Sequence, residues 1–371
     1  SHSKKNNTRI KTQHINVSNK NDKCCFPKVE KLVAIGDIHG DLSVAIKTLK
    51  LAGVISNYIP NDTKDISNIH WIGGKTHVVQ LGDQIDRVRP SVLVNNICPD
   101  NDSELHEDEG SDLKIICLFN KLNREAQKCG GACLSILGNH ELMNVDGDFR
   151  YVSPKEFREF GNFFKASKSL KNSKYPYGYT ERKAAFQCGG PIAVKLAETR
   201  FSVLQVGSWV FVHGGLTPIV TKKYSFDDIN KYIKDWLIGC KRPETMHGVN
   251  DLYHTDDDTN SPFWSRMLSD HEEWIPGHSE KIFSDTIENA NLKNNRTEHN
   301  KIKGMILGHS PQFMYNKGIN GACNNRLWRV DVGMSRAFGK LDKCDEDFGN
   351  RQVQVLVIKN DNEFFIVKDK N

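Results

Sequence analysis

The sequence predicts an α/β chain with mixed sheets, nearer to a two-sheet sandwich flanked by helices than to a plain doubly wound fold. Three observations lead there. Short apolar runs at residues 32–35, 77–81, 132–137, 201–206, 209–212, 303–307 and 327–332 recur along the chain, and several end in a glycine or polar turn. Stretches with helical spacing separate the earlier runs, the pattern of an α/β sheet. Near the end, runs at 352–358 and 363–367 flank Asn360-Asp361-Asn362 as the arms of a hairpin, which adds antiparallel pairing.

Taken in order, residues 1–27 are polar, rich in Asn and Lys and without periodicity, so they read as a disordered basic tail. Order is expected from about Val29, with residues 28–371 forming one domain. Asp41 can cap a helix through Leu42, Ala45, Ile46 and Leu49. Residues 56–75 read as a loop, and 95–112 as an acidic, solvated insertion (Asp100, Asp102, Glu104, Glu107, Asp108, Glu109, Asp112). A helix is expected over 112–127. Residues 154–200 look helical and then loop-rich, as a cap insertion would.

The 371 residues suffice for a sizeable core at 38% hydrophobic content. Net charge is +5, with much of the excess in the tail, where the expectation is a solvated segment and not a nucleic-acid contact. No apolar run reaches the 18 or so residues of a membrane span. The ten cysteines form no compact framework and no pair of C-x2-C units, so reduced thiols in an intracellular, cytoplasmic setting are expected, with a removed leader left open. Oligomeric state is not legible.

Five strand ends carry chemistry: Asp37 and His39; Asp83, Asp86 and Arg87; Asn139 and His140; His213 before Gly214-Gly215; and His309. In open α/β sheets, ligands gather at the carboxyl ends of strands, so distant residues can converge. The donors are oxygen and imidazole with no thiolate, which favours Mn, Fe or Zn. They are too many for one tetrahedral zinc and suit two ions sharing a carboxylate, about 3.5–4 Å apart. Each piece alone is weak: Asp-x-His is usually a turn, His-Gly-Gly a strand end, Asn139-His140-Glu141 a helix cap, Asp86-Arg87 an ion pair. Five in order, each after a strand, are not.

Gly36-Asp37-Ile38-His39-Gly40, Gly82-Asp83-Gln84-Ile85-Asp86-Arg87, Gly138-Asn139-His140-Glu141, His213-Gly214-Gly215 and Gly308-His309-Ser310-Pro311 stand in the order of the phosphoprotein phosphatase family of calcineurin-like metallophosphoesterases, which the chain resembles over residues 36–311. Gly130-Gly131, the stretch 142–152 and Ser261-Pro262-Phe263-Trp264-Ser265-Arg266 make it most similar to the Shewanella-like protein phosphatases. The resemblance implies two divalent metal ions, Mn in vitro and Fe or Zn natively, held by Asp37, His39, Asp83, Asn139, His213 and His309. Asp83 would bridge them. His140 would be the general acid, Asp86 would orient it, and Arg87 and Arg266 would hold phosphate oxygens. Attack by a metal-bridging hydroxide on a phosphoserine or phosphothreonine protein or peptide, or on phosphotyrosine, is the implied reaction. Alternatives on the same scaffold are a dinucleoside polyphosphate or nucleotide hydrolase and an inactive phosphoprotein-binding scaffold. The chain departs from the family after the Asp86-Arg87 pair, where Val88-Arg89-Pro90 stands in place of the usual glycine, and Ser310 replaces the usual threonine.

Overall fold

The computed structural model describes residues 24–167, 173–271 and 277–370, and it folds the apolar runs into two six-stranded sheets. One sheet runs β12 (Glu363–Lys368), β11 (Gln354–Lys359), β2 (Lys31–Ile35), β3 (His77–Gln80), β4 (Ala132–Ile136), β5 (Arg200–Phe201). The other runs β1 (Cys25–Phe26), β6 (Val203–Val206), β7 (Trp209–Val212), β8 (Gly304–Leu307), β10 (Leu327–Arg329), β9 (Asn320–Ala322). The helices are α1 (Leu42–Leu51), α2 (Asp112–Lys128), α3 (Asn139–Val145), α4 (Pro154–Phe163), α5 (Tyr179–Phe186), α6 (Pro191–Thr199), α7 (Pro218–Lys223), α8 (Phe226–Leu237), α9 (Pro243–Leu252), α10 (His278–Lys293) and α11 (Phe348–Arg351).

Period-two alternation decides which face of the second sheet meets what. Leu204, Val206, Trp209, Phe211 and Ile306 share a core with Val78, Val79 and Leu356 of the first sheet. Their neighbours Val203, Val210, Val212, Met305 and Leu307 point the other way, onto Val220, Phe226, Phe283 and Ile287 of α7, α8 and α10. The result is a sandwich with helices outside it. Both sheets are mixed. β2, β3, β4 and β5 pair in parallel, as do β7, β8 and β10, while β11 is antiparallel to β2 and β12, and β6 to β7. The terminal hairpin closes at Lys359 opposite Glu363.

Three expectations need correction. The tail reading extends too far, because Cys25–Phe26 pairs with Gln205 and Val206; residues 1–23 lie outside the described residues. The single run at 201–206 is two strands in different sheets. Asn230 makes the crossing: its Oδ1 accepts the Ser202 and Val203 N–H groups at 2.7 and 3.3 Å, and its Nδ2 donates to Val203 O at 2.7 Å, so the backbone changes sheets without losing its bonds. The acidic insertion is not a solvated loop. Asp102 accepts the Ser91, Val92 and Glu104 N–H groups, Glu107 and Glu109 meet Arg336, and Asp108 holds Ser153 and Lys155. Residues 154–200 supply α4, α5 and α6, whose Phe160, Phe186, Ala193 and Leu196 share one buried cluster with Ile116 of α2 and Ile233 of α8; residues 168–172 within it lie outside the described residues. No helix among the described residues is long and apolar enough to cross a membrane.

Replacing Asn230 with alanine strands the Ser202 and Val203 N–H groups at the crossing. We expect a loss of roughly 1–3 kcal/mol in urea unfolding with the fold retained; an unchanged midpoint would show that the crossing does not depend on this side chain.

Candidate metal centre

The strands that end here belong to both sheets. Asp37 and His39 follow β2, Asp83 follows β3, Asn139 and His140 open α3 directly after β4, His213 follows β7 and His309 follows β8. Parallel pairing within each group puts these carboxyl ends on one side of the sandwich, so the ten-residue gaps and hundred-residue gaps of the sequence collapse into one buried spot. The turns lock together through the backbone: Ile38 and His39 donate to Asp83 O at 3.0 and 2.8 Å, and Gly40 donates to Gln84 O at 2.9 Å. His39, Asp83, Asp86 and His309 all take left-handed backbone, with φ of 45, 48, 72 and 69°. Gly138 is required by close approach, since a Cβ there would lie 2.0 Å from Asp83 Oδ1.

Asp83 is the common member. Its Oδ2 lies 3.1 Å from His213 Nε2, 3.7 Å from His39 Nε2 and 4.0 Å from His140 Nε2, and its Oδ1 accepts the His140 N–H at 3.0 Å. Two groups able to hold a metal ion share it: His39, Asp83 and His140, and Asp83, His213 and His309. Nearby imidazoles each commit one nitrogen to a backbone carbonyl: His213 Nδ1 to Leu81 at 2.6 Å, His39 Nδ1 to Ile85 at 3.2 Å, His309 Nε2 to Trp264 at 3.1 Å. The other nitrogen is thereby turned toward the cluster. His213 Nε2 then faces Asp83 Oδ2 and, at 2.9 Å, Asn139 Oδ1.

Electron-rich atoms facing one another with little water between them need a cation, and this donor set of carboxylate, amide oxygen and imidazole fits divalent transition-metal ions. The surrounding acids say the same. Burial pushes Asp37 well above the usual carboxylate range, helped by Asp331 and Asp83, and Asp331 is raised by burial too. Asp331 Oδ2 has no donor at all. Burial also opposes the charge on Asp83, yet the His213 and His140 imidazoles outweigh it and hold the group well below its ordinary value. Burial drives His39 and His309 well below theirs, with Arg89 beside the first and, after His213, Arg266 beside the second adding to the effect, so both rings are neutral at pH 7.

Beside this cluster stands His140. Its Nδ1 is 2.7 Å from Asp86 Oδ2, and its Nε2 is left facing the cluster. Asp86 is itself held: Asn144 Nδ2 donates to its Oδ1 at 2.9 Å, and Arg182 Nη2 reaches the same oxygen at 3.3 Å. Arg182 comes from α5 and is fully buried among Phe149, Phe157, Phe160 and Phe186. Its Nε donates to Asn144 Oδ1 and its Nη2 to Asp112 Oδ2, both at 2.8 Å. Behind Asp112, the Glu156 carboxyl accepts the Ser153 and Arg87 N–H groups on Oε2 and turns Oε1, which has no other donor, toward Asp112. Burial and the Asp112 charge raise Glu156 well above its ordinary 4.5, which favours its neutral form beside Asp112.

The expected residues therefore converge, except one. Asp37, His39, Asp83, Asn139, His213 and His309 line the cluster, with His140 and Asp86 beside it. Arg266 stands at the rim, its Nη1 bonded to His309 O at 3.2 Å and Ser310 Oγ at 2.9 Å. Arg87, expected on the phosphate, is buried with its Nη2 on His106 O at 2.6 Å. Its charge acts on Asp41, Glu107 and Glu109, and it is the side chain of Arg89 that reaches the cluster. The sequence reading also missed Arg182, Asn144, Glu141 and Asp331. Glu141 alone had a local signal, three residues past the helix cap, where its carboxylate takes the Gly138, Asp83 and Gln84 N–H groups at 2.7, 3.0 and 2.8 Å.

Imidazole and carboxylate donors from five strand ends, centred on one shared carboxylate and flanked by a carboxylate-held histidine, define a metal-binding hydrolase. The chain belongs to the calcineurin-like phosphoesterase family, whose pattern it matches over residues 30–313. It is 34% identical over 341 residues to Shewanella-like protein phosphatase 2 of Arabidopsis thaliana, covering 84% of this chain and 73% of that one. It is 27% identical over 307 residues to Shewanella-like protein phosphatase 1 of Plasmodium berghei, covering 82% and 67%. Among solved structures, the cold-active protein-tyrosine phosphatase of a psychrophilic Shewanella species superposes with a TM-score of 0.56 at 17% identity, covering 93% of this chain and 82% of that one, a likeness of fold.

Two predictions follow from this geometry. Asn is tolerated in left-handed backbone, so Asp83→Asn keeps the turn while removing the shared charge; metal content measured by mass spectrometry should fall for both ions, and retention of two would rule out sharing. Glu156→Gln can present its oxygen to Ser153 and Arg87 and its amide to Asp112. The native state keeps a proton on Glu156 that the unfolded chain releases near 4.5, so this group's contribution is fully present below that pH and is lost as pH rises toward the raised native value. Wild type should lose stability relative to Glu156→Gln as pH rises above 4.5, by at most about 1.4 kcal/mol per pH unit; parallel curves in urea unfolding would exclude a raised Glu156.

Proposed function

We propose that this chain is a phosphoprotein phosphatase that hydrolyses phosphoserine or phosphothreonine monoesters. The observation that carries the reading is the pairing of His140 with Asp86 beside the Asp83 cluster: an imidazole oriented by a buried carboxylate, with its free nitrogen facing the place where a leaving oxygen would need a proton. Asp37, His39, Asp83, Asn139, His213 and His309 are the residues that would hold two divalent ions, Mn in vitro and Fe or Zn natively. Such ions, when bound, supply an acidified water and neutralise phosphoryl charge.

The protein's own part is positional. Asp86 fixes the ring of His140, and Asn144 and Arg182 fix Asp86. His140 Nε2 then gives its proton to the ester oxygen as the bond to phosphorus breaks, so the alcohol leaves neutral. Arginine at the rim matches phosphate oxygens with a fork of donors. The likeness to the plant and Plasmodium phosphatases favours a protein substrate, and the name of the Shewanella neighbour favours tyrosine as a second reading. The ten cysteines remain thiols, which supports a reducing, intracellular compartment.

The test is turnover of manganese-loaded protein on phosphoserine, phosphothreonine and phosphotyrosine peptides and on a dinucleoside polyphosphate. Preference for the first two is expected; preference for tyrosine or for the nucleotide replaces the substrate assignment, and no turnover with metal loaded removes the enzyme reading. His140→Asn should lower kcat by about 10²–10⁴ with metal content unchanged. Parallel loss of metal would instead make His140 a ligand.

A further inference from the structure

The arginine after the Asp86 turn is expected to hold the substrate phosphate, yet two arginines follow that turn and the structure separates their roles. Arg87 is 2% exposed, its Nη2 is spent on His106 O, its Nε has no acceptor, and its backbone N–H is held by Glu156. It faces Asp41 and the acids at 107 and 109, which belong to the 95–112 segment. Arg89 lies on the other side. Its Nη1 donates to Val88 O at 2.9 Å and Asp86 O at 3.3 Å, and its Nη2 lies 3.0 Å from His39 Nε2. Its guanidinium is clamped between the rings of Tyr151 and Phe338, 5.0 and 4.9 Å from their centroids. Those rings lean on the site themselves, Tyr151 against His140 at 5.0 Å and Phe338 against His39 at 5.6 Å. Two carbonyls and two aromatic faces leave a half-buried guanidinium few orientations, with one edge toward the cluster.

The switch has a local cause. Val88, directly after the Asp86-Arg87 pair, is fully buried and its N–H bonds Tyr151 O at 3.2 Å. That bond ties the turn to Tyr151 and starts the Val88-Arg89-Pro90 departure that carries Arg89 over the site. Arg266 occupies the opposite wall, beside His309.

We infer that Arg89, and not Arg87, is the residue that binds the substrate phosphate opposite Arg266, with Arg87 fixing the 95–112 segment to the body. This rests on the phosphatase reading for its ligand class, a phosphomonoester dianion or inorganic phosphate.

The test uses manganese-loaded full-length protein and inorganic phosphate, titrated by calorimetry, so that binding is read without turnover. Arg89→Ala should weaken phosphate about tenfold or more and raise KM for a phosphopeptide, with Arg89→Lys intermediate because it keeps charge without the fork. Metal content should not change. Arg87→Met should bind phosphate within about threefold of wild type while losing stability in urea, as loss of a buried anchor requires. Phosphate binding unchanged in Arg89→Ala overturns the assignment, and so does an equal loss in Arg87→Met or a loss of metal in Arg89→Ala. Wild type that binds phosphate through Arg89 but turns over no phosphoester would leave this assignment standing and sink the phosphatase reading.

Discussion

One carboxylate sets the terms for the rest of this molecule. Asp83 is buried within reach of three imidazoles, and an ionised group in that position survives only if its surroundings repay the water it has lost. The repayment is visible on every side. Backbone N–H from His140 reaches one oxygen, His213 reaches the other, and the backbone of residue 83 ties the turn after β2 to the turn after β3. Gly138 stands clear to let the carboxylate in. The sandwich itself serves the same end, because only strands from both sheets ending on one side can bring His213 and His309 to the residues of β2, β3 and β4.

A second buried charge network stands behind the first. Arg182 is the cation between Asp86 and Asp112, and burial beside Asp112 favours the neutral form of Glu156. Removing Arg182 would leave Asp86 and Asp112 buried without their cation, which costs far more than the pair is worth against an apolar replacement. Through this network α2, α4 and α5 bear on the orientation of His140, although none of them reaches the Asp83 cluster directly. The segment 154–200 is therefore part of the support for the chemistry.

The strand ends were legible in the sequence because their signal is local: an apolar run, a glycine and a polar donor fall within five or six residues of one another. The same locality revealed the hairpin and α2. What escaped depends on contacts between distant segments. Arg182 lies 96 residues from Asp86 and resembles any other helical arginine until the fold buries it. Glu107 and Glu109 look solvated until Arg336, more than 220 residues later, comes to meet them. The division at Ser202 is invisible in an unbroken apolar run, because Asn230 makes it. The arginines at 87 and 89 show the limit most clearly: their order in sequence says nothing about which side of the turn each guanidinium takes.

The left-handed turns have a consequence for how variants of this protein would be sorted. His39, Asp83, Asp86 and His309 hold a conformation that costs a non-glycine residue about 1–3 kcal/mol, and glycine adopts it freely. A library selected for folding or expression alone will favour glycine at the four places where the chemistry resides. The most robust survivors of such a selection will be well-folded sandwiches with an empty centre, and thermal tolerance will be a misleading guide to whether a variant still works.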